Sequence, residues 1–264
     1  MEPVATNESL SAAEEPEPKS FFSRLGGVYA SPRETLSEIG LAPRVLVPLV
    51  AVLIIGLLFG FYLSRHLDLE SVMESQLQNA VQQGRITQQQ MEQQLAISSK
   101  FAGVWLILST TIVSLISMFV IAGYAKLFSI FSGAENKFKP LLSVTIYVLL
   151  AVSIVQYGLM VLILQLKGSG EVDLAHVNRI VASSLGALLA SIMGEDALPK
   201  FVMGLANAVD AFAIWRIVLL AIGYSVVSKK LKIGTSAFWL GIAYLVIAVV
   251  SALVTSMFNL SGTT

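Results

Sequence analysis

Apolar runs too long for the core of a soluble domain constrain this chain more than any other feature. The hydrocarbon core of a bilayer is about 30 Å thick and takes about 20 residues of helix. Four runs of that length or more carry no Asp, Glu, Lys or Arg: 45–64, 101–125, 141–166 and 233–264. A fifth, 205–228, has the same length but holds Asp210 and Arg216. The composition fits this reading, because 55% of the chain is hydrophobic and only 13% charged, against about 25% charged in soluble domains. The expected fold is an all-α membrane protein, a polytopic bundle of five transmembrane helices at about 45–64, 103–125, 141–166, 205–228 and 235–258.

The flanks and connections have their own patterns. Residues 1–20 carry five glutamates and one lysine, which reads as a disordered acidic tail and not as a signal peptide. The segment 21–43 follows, with Phe21, Phe22, Leu25, Val28 and Tyr29 at helical spacing and Arg24 on the other side. That pattern predicts an amphipathic helix in the membrane interface. Ser31, Pro32 and Glu34 suggest a capping box for the next helix, and Gly40 a stop.

Two longer connections are expected to be helical. In 67–100, Leu69, Val72, Met73, Leu77, Ala80 and Val81 share a face, Gly84 breaks the helix, and Thr87 with Gln90 caps another that runs into the second span. In 171–201, a stripe from Leu174 to Ile192 lies between Asp173 and Gly194. Its uncharged part is too short to cross a bilayer, so an interfacial or re-entrant helix is expected.

Basic residues set the orientation. With a cytoplasmic N-terminus, ten of the 17 Lys and Arg residues face inward. The six in the inner linkers are confined to 126–139 and 229–232, whereas six outer ones spread over 65–100 and 167–200. The C-terminus, 261–264, is then extracytoplasmic, as are both long connections.

Signs of chemistry are few. There is no cysteine and there are two histidines, His66 and His176, in different connections. No phosphate-binding, nucleophile-elbow or zinc-protease motif occurs. No enzyme activity, cofactor or metal is expected, and with 17 basic and 17 acidic residues no nucleic acid either. Gly56 and Gly60 form a G-x-x-x-G that brings two helix backbones close, within the bundle or in a homodimer. Thr110, Ser114 and Ser117 make a polar stripe for hydrogen bonds between helices. Arg216 is expected to snorkel outward, toward the depth of Asp210, with Gln156 as its hydrogen-bond partner. These three residues are the candidate intramembrane polar cluster.

The motifs "FFSRLGGVYASPRETLSEI", "GAENKFKPLLSVTIYVLL", "VASSLGALL" and "VDAFAIWRIVLLAIGYSVVSKKLKIGTSAF", in this order and spacing, resemble the bacterial branch of the Yip1 family. The resemblance implies a non-enzymatic integral protein of the cell inner membrane. Eukaryotic relatives act in vesicle traffic and associate with prenylated Rab-type GTPases. Their aspartate-leucine-tyrosine-glycine-proline motif is missing here, where the chain reads "SPRETLSEIGLAPR", so GTPase binding does not carry over. The expected role is a scaffold or adaptor that contacts the lipid bilayer and other membrane proteins. The alternative is a small-solute or ion transporter using Arg216, Asp210 and Gln156.

Overall fold

The computed structural model describes residues 19–134, 136–167, 181, 183–194, 197–228 and 230–260. The acidic tail up to residue 18, the C-terminal residues 261–264, His176, Asp173 and the stripe residues from Leu174 to Ile180 lie outside them. Among the described residues the secondary structure is helical, apart from one isolated antiparallel bridge between Ser184 and Asp210. The described residues form ten helices, in chain order α1 (Phe21–Ala30), α2 (Pro32–Leu41), α3 (Leu46–His66), α4 (Leu69–Gln82), α5 (Gln88–Phe131), α6 (Phe138–Lys167), α7 (Leu185–Met193), α8 (Lys200–Ala208), α9 (Ala211–Val227) and α10 (Ile233–Leu260).

Four of these helices, α3, α5, α6 and α10, are long and apolar enough to cross a membrane. They leave large apolar side chains such as Leu58, Val113 and Val246 facing outward, which in a bilayer is contact with lipid. Helix α5 runs unbroken for 44 residues, or about 66 Å at 1.5 Å per residue. The Thr87–Gln90 capping box starts it. Gly84, at φ 65°, turns the chain between α4 and α5.

The segment expected to form one span at 205–228 is interrupted. Helix α8 ends at Ala208, the chain extends through Val209 and Asp210, and α9 begins anew at Ala211. Asp210 is the cause of this restart. Its side-chain Oδ1 accepts the Ala213 amide at 2.9 Å, and a cap of this kind competes with helix continuation. Helix α9 has 17 residues, about 25 Å, somewhat short of a full crossing.

The main core joins α6 and α9, with Leu141, Val144, Tyr147 and Val148 against Leu219, Leu220 and Tyr224. A buried polar pair is embedded there, Thr145 Oγ1 and the Tyr224 hydroxyl at 2.8 Å. Gly223 permits the close approach, since a Cβ at that position would collide with Val144.

The N-terminal segment forms the two expected helices, and they pack on the bundle. Helices α1 and α2 form a hairpin packed along α6 and α9, burying Val28, Leu36 and Ile39 in the main core. Gly40 is not a stop; it lies within α2 against Val227. Ser31 is the N-cap residue of α2 with Pro32 in the first turn, yet its side chain caps no amide and instead lies 3.4 Å from the Thr35 hydroxyl. At the hairpin tip the Tyr29 hydroxyl donates to the Ala151 carbonyl at 2.6 Å, and its ring is 6.1 Å from that of Trp215.

Arg24 does not face outward. It is fully buried, because the α1–α2 hairpin folds its side chain inward as a clasp. Its Nη1 donates to the Ala42 carbonyl at 2.8 Å and its Nε to Glu38 at 3.2 Å, with Tyr147 close enough to interact with the guanidinium.

Candidate intramembrane polar site

The break between α8 and α9 is held by a short two-stranded contact. The Leu185 amide donates to the Val209 carbonyl at 2.8 Å and the Ala211 amide to the Ser183 carbonyl at 2.9 Å. Helices α7 and α8 thus form a hairpin closed at its base by the Ser184–Asp210 bridge. Both following helices are capped at that base. Ser184 Oγ accepts the Ala187 amide at 3.1 Å at the start of α7, and Asp210 does the same for α9. Ser183 Oγ also donates to Asp210 Oδ2. Gly186 is required for the hairpin, since a Cβ there would overlap Asn207. Gly194, at φ 93°, ends α7.

Beside this bridge lies a cavity of about 410 Å³. Its lining includes Gln156 from α6, Asp210 from the break and Arg216 from α9, so the three candidate residues share one space. Ser183, Ser184, Asn207 and Tyr244 complete its polar wall, and the Tyr244 hydroxyl donates to the Ala208 carbonyl at 2.9 Å. Proximity does not extend to bonding. Among the described residues no hydrogen bond joins Gln156 to Arg216, and both ion pairs belong to Glu38. The Asp210 carboxylate is turned instead to the Ala213 amide and the Ser183 hydroxyl.

Depth follows from helix length. Arg216 is eleven residues from Val227 at the end of α9, and Tyr244 eleven from Ile233 at the start of α10. Both therefore stand about 16 Å from that end of the bundle, and Asp210 about 25 Å. In a hydrocarbon layer about 30 Å thick that began at that end, these positions would fall in its middle and far half.

The other candidates are placed elsewhere. Gly56 and Gly60 lie in the α3–α5 contact, where an added Cβ would come 3.1 Å from Thr111 Oγ1 and 2.8 Å from Ile107 Cα respectively. That face is thus occupied inside the chain. Thr110, Ser114 and Ser117 do not bridge helices; each hydroxyl donates to a carbonyl of its own helix three or four residues back. In an apolar setting that is the nearest acceptor. His66 Nδ1 lies 2.9 Å from the Tyr62 carbonyl and its ring stacks on Tyr62. No three metal-binding side chains converge among the described residues.

A model of the Yip1 domain matches residues 26–255. The chain belongs to the Yip1 family. No curated protein and no solved structure matches it significantly. The matched region of this Yip1-family chain begins inside α1 and ends inside α10, so it takes in the end of α1, all of α2, the α7–α8 hairpin and every candidate span, while Arg24 lies just ahead of it. It is a multi-pass membrane protein in contact with lipid.

Asn207, Ser183, Ser184 and Tyr244 were not among the residues singled out from sequence. For the first three a signal exists: "SSLG" and "NAVDAF" each place cap-forming residues ahead of an apolar helix. Tyr244 has none, because only the crossing of α10 over α9 brings it to the cavity.

Proposed function

We propose that this Yip1-family protein is a non-enzymatic scaffold or adaptor of the cell inner membrane. In this reading it has five spans, a cytoplasmic N-terminus and an extracytoplasmic C-terminus, with α9 as a short fourth span. The observation that carries the proposal is the α1–α2 hairpin. A buried Arg24 clasp is a costly way to hold a terminal segment, and it rigidifies one end of the bundle. Between α2 and the start of α10 it leaves a groove of about 910 Å³ lined by Arg33, Glu34, Ser37, Leu41 and Lys232 among others. Charges of both signs around an exposed leucine suit a polypeptide partner more than a small ion.

Photo-crosslinking tests it. A photoreactive residue at Ser37 or Lys232 should give discrete protein adducts in native membranes, lost when Leu41→Asp is added. Adducts equal to those from a lipid-facing control position such as Val113 would count against the scaffold.

One observation favours the transport reading as a second possibility. Interrupted helices at membrane depth form the substrate sites of many secondary transporters, and the α8–α9 break adjoins the cavity shared by Gln156, Asp210 and Arg216. Substrate-dependent currents or uptake in proteoliposomes, abolished by Arg216→Leu, would support it.

A further inference from the structure

The polar cavity does not stand alone. A second, apolar crevice of about 190 Å³ lies between α5, α9 and α10, and Ala213, Arg216 and Tyr244 line both spaces. The crevice is otherwise walled by residues such as Val120, Leu220, Leu240 and Ile247. Val120 and Ile247 are about 60% exposed at 60% and 61%, so the crevice opens to the side where lipid chains lie. Arg216 sits at the junction of a polar and an apolar compartment.

Charge accounting points to an anion. Among the described residues Asp210 is the only acidic one lining the cavity, and it is already engaged. Its two oxygens accept from Ala213 N and Ser183 Oγ, and its charge lies at the positive end of the α9 dipole. Arg216 has no hydrogen bond or ion pair among the described residues. A guanidinium at this depth is costly unless an anion meets it. Gln156 and Asn207 supply amide donors beside it.

The two compartments also overlap in depth, and the polar one reaches farther from the end where α10 starts. The crevice residues of α10, Leu240 to Ile247, lie about 10–21 Å from the α10 start, while the polar wall from Arg216 to Asp210 lies about 16–25 Å from the α9 end. A headgroup would occupy the farther polar space and a hydrocarbon chain the nearer apolar one. A cavity of 410 Å³ falls within the usual range for ligand sites, about 300–1,000 Å³.

We infer that the paired cavities bind a membrane lipid with an anionic headgroup, its phosphate on Arg216 and one acyl chain in the α5–α9–α10 crevice. The inference is independent of the scaffold reading, since a resident lipid is compatible with either role.

The test uses the full chain in phosphatidylethanolamine nanodiscs containing a trace of phosphatidylglycerol with a photoactivatable acyl chain. Adducts should map to α5, α9 and α10 around Leu240 and be competed by unlabelled phosphatidylglycerol. Arg216→Gln should cut labelling about tenfold, the loss of one charge-assisted contact, and Arg216→Lys should restore most of it. Ala243→Trp, which fills the crevice with Arg216 in place, should also block labelling and decides the matter if Arg216→Gln does not fold. Equal labelling by photoactivatable phosphatidylethanolamine, or undiminished labelling in the folded variants, overturns the inference. So does competition by soluble glycerol phosphate as strong as that by the lipid, which would mean a free-anion site.

Discussion

Arg24 and Glu38, fourteen residues apart, close the α1–α2 hairpin through an Nε–Oε1 contact of 3.2 Å in which the arginine is completely enclosed and the glutamate 26% exposed. The same glutamate binds Lys19 at 3.1 Å through its other oxygen. One carboxylate thus ties the entrance of α1 to the middle of that helix and to α2.

The clasp predicts an asymmetry between its partners. Glu38→Ala strands a buried guanidinium and should cost about 1.5–3 kcal/mol, the worth of a hydrogen bond to a charged group. Arg24→Met removes the buried charge altogether and should cost less. Thermal unfolding in detergent measures both, and limited proteolysis of 21–42 should report a loosened hairpin in Glu38→Ala. Equal losses in the two variants would mean that packing, not charge, holds the segment.

The glycines of α3 predict which backbone contact is tight. Gly60→Ala places a Cβ 2.8 Å from Ile107 Cα, where backbone must move, and should cost about 1–3 kcal/mol. Gly158→Ala meets nothing within 4 Å and should leave the melting temperature near that of the parent. If Gly60→Ala instead dissociates a dimer without lowering stability, the G-x-x-x-G face serves association between copies.

The helix break predicts a modest but localised loss. Asp210→Ala removes the cap of α9 and the partner of Ser183 Oγ, and should cost about 1–2 kcal/mol. Hydrogen exchange should rise in the Ser184–Asp210 bridge and the first turn of α9 while the α6–α9 core stays protected. Uniform exchange across the chain would contradict a local role.

Topology has a direct test. A reporter active only outside the cytoplasm should give signal when fused after Lys100 or Lys200 and none after Lys137 or Lys230. Signal after Lys230 would sink the five-span arrangement, because it requires α9 not to cross.

Arg216 separates function from stability. If α9 crosses as proposed, Arg216→Leu relieves the cost of an intramembrane arginine, about 2.5–3.5 kcal/mol by insertion scales, and should keep or raise thermal stability in detergent. A variant that folds but loses the protein's cellular phenotype, or its labelling by anionic lipid, assigns the arginine to a site.

Much of this architecture is legible in the chain because membrane insertion is governed by short-range rules. Runs such as 141–166 satisfy their backbone hydrogen bonds only as helix in lipid, so length and apolarity announce α3, α5, α6 and α10 without knowledge of neighbours. Caps are equally local, and the pattern at Thr87 and Gln90 marks the start of α5. Tertiary structure decided what depends on partners far along the chain. The inward turn of Arg24 needs Glu38 and the Ala42 carbonyl, which a helical wheel of α1 does not contain. The α8–α9 break needs more than Asp210 as a local cap, because the Val209 carbonyl must accept from Leu185 and the Ala211 amide must find the Ser183 carbonyl to satisfy the freed backbone. Gln156, Asp210 and Arg216 come to one cavity only because α6, the break and α9 converge with Tyr244 of α10. Hydrophobic patterning is non-directional and marks which residues leave water, whereas hydrogen-bond geometry between distant segments selects which polar groups meet inside.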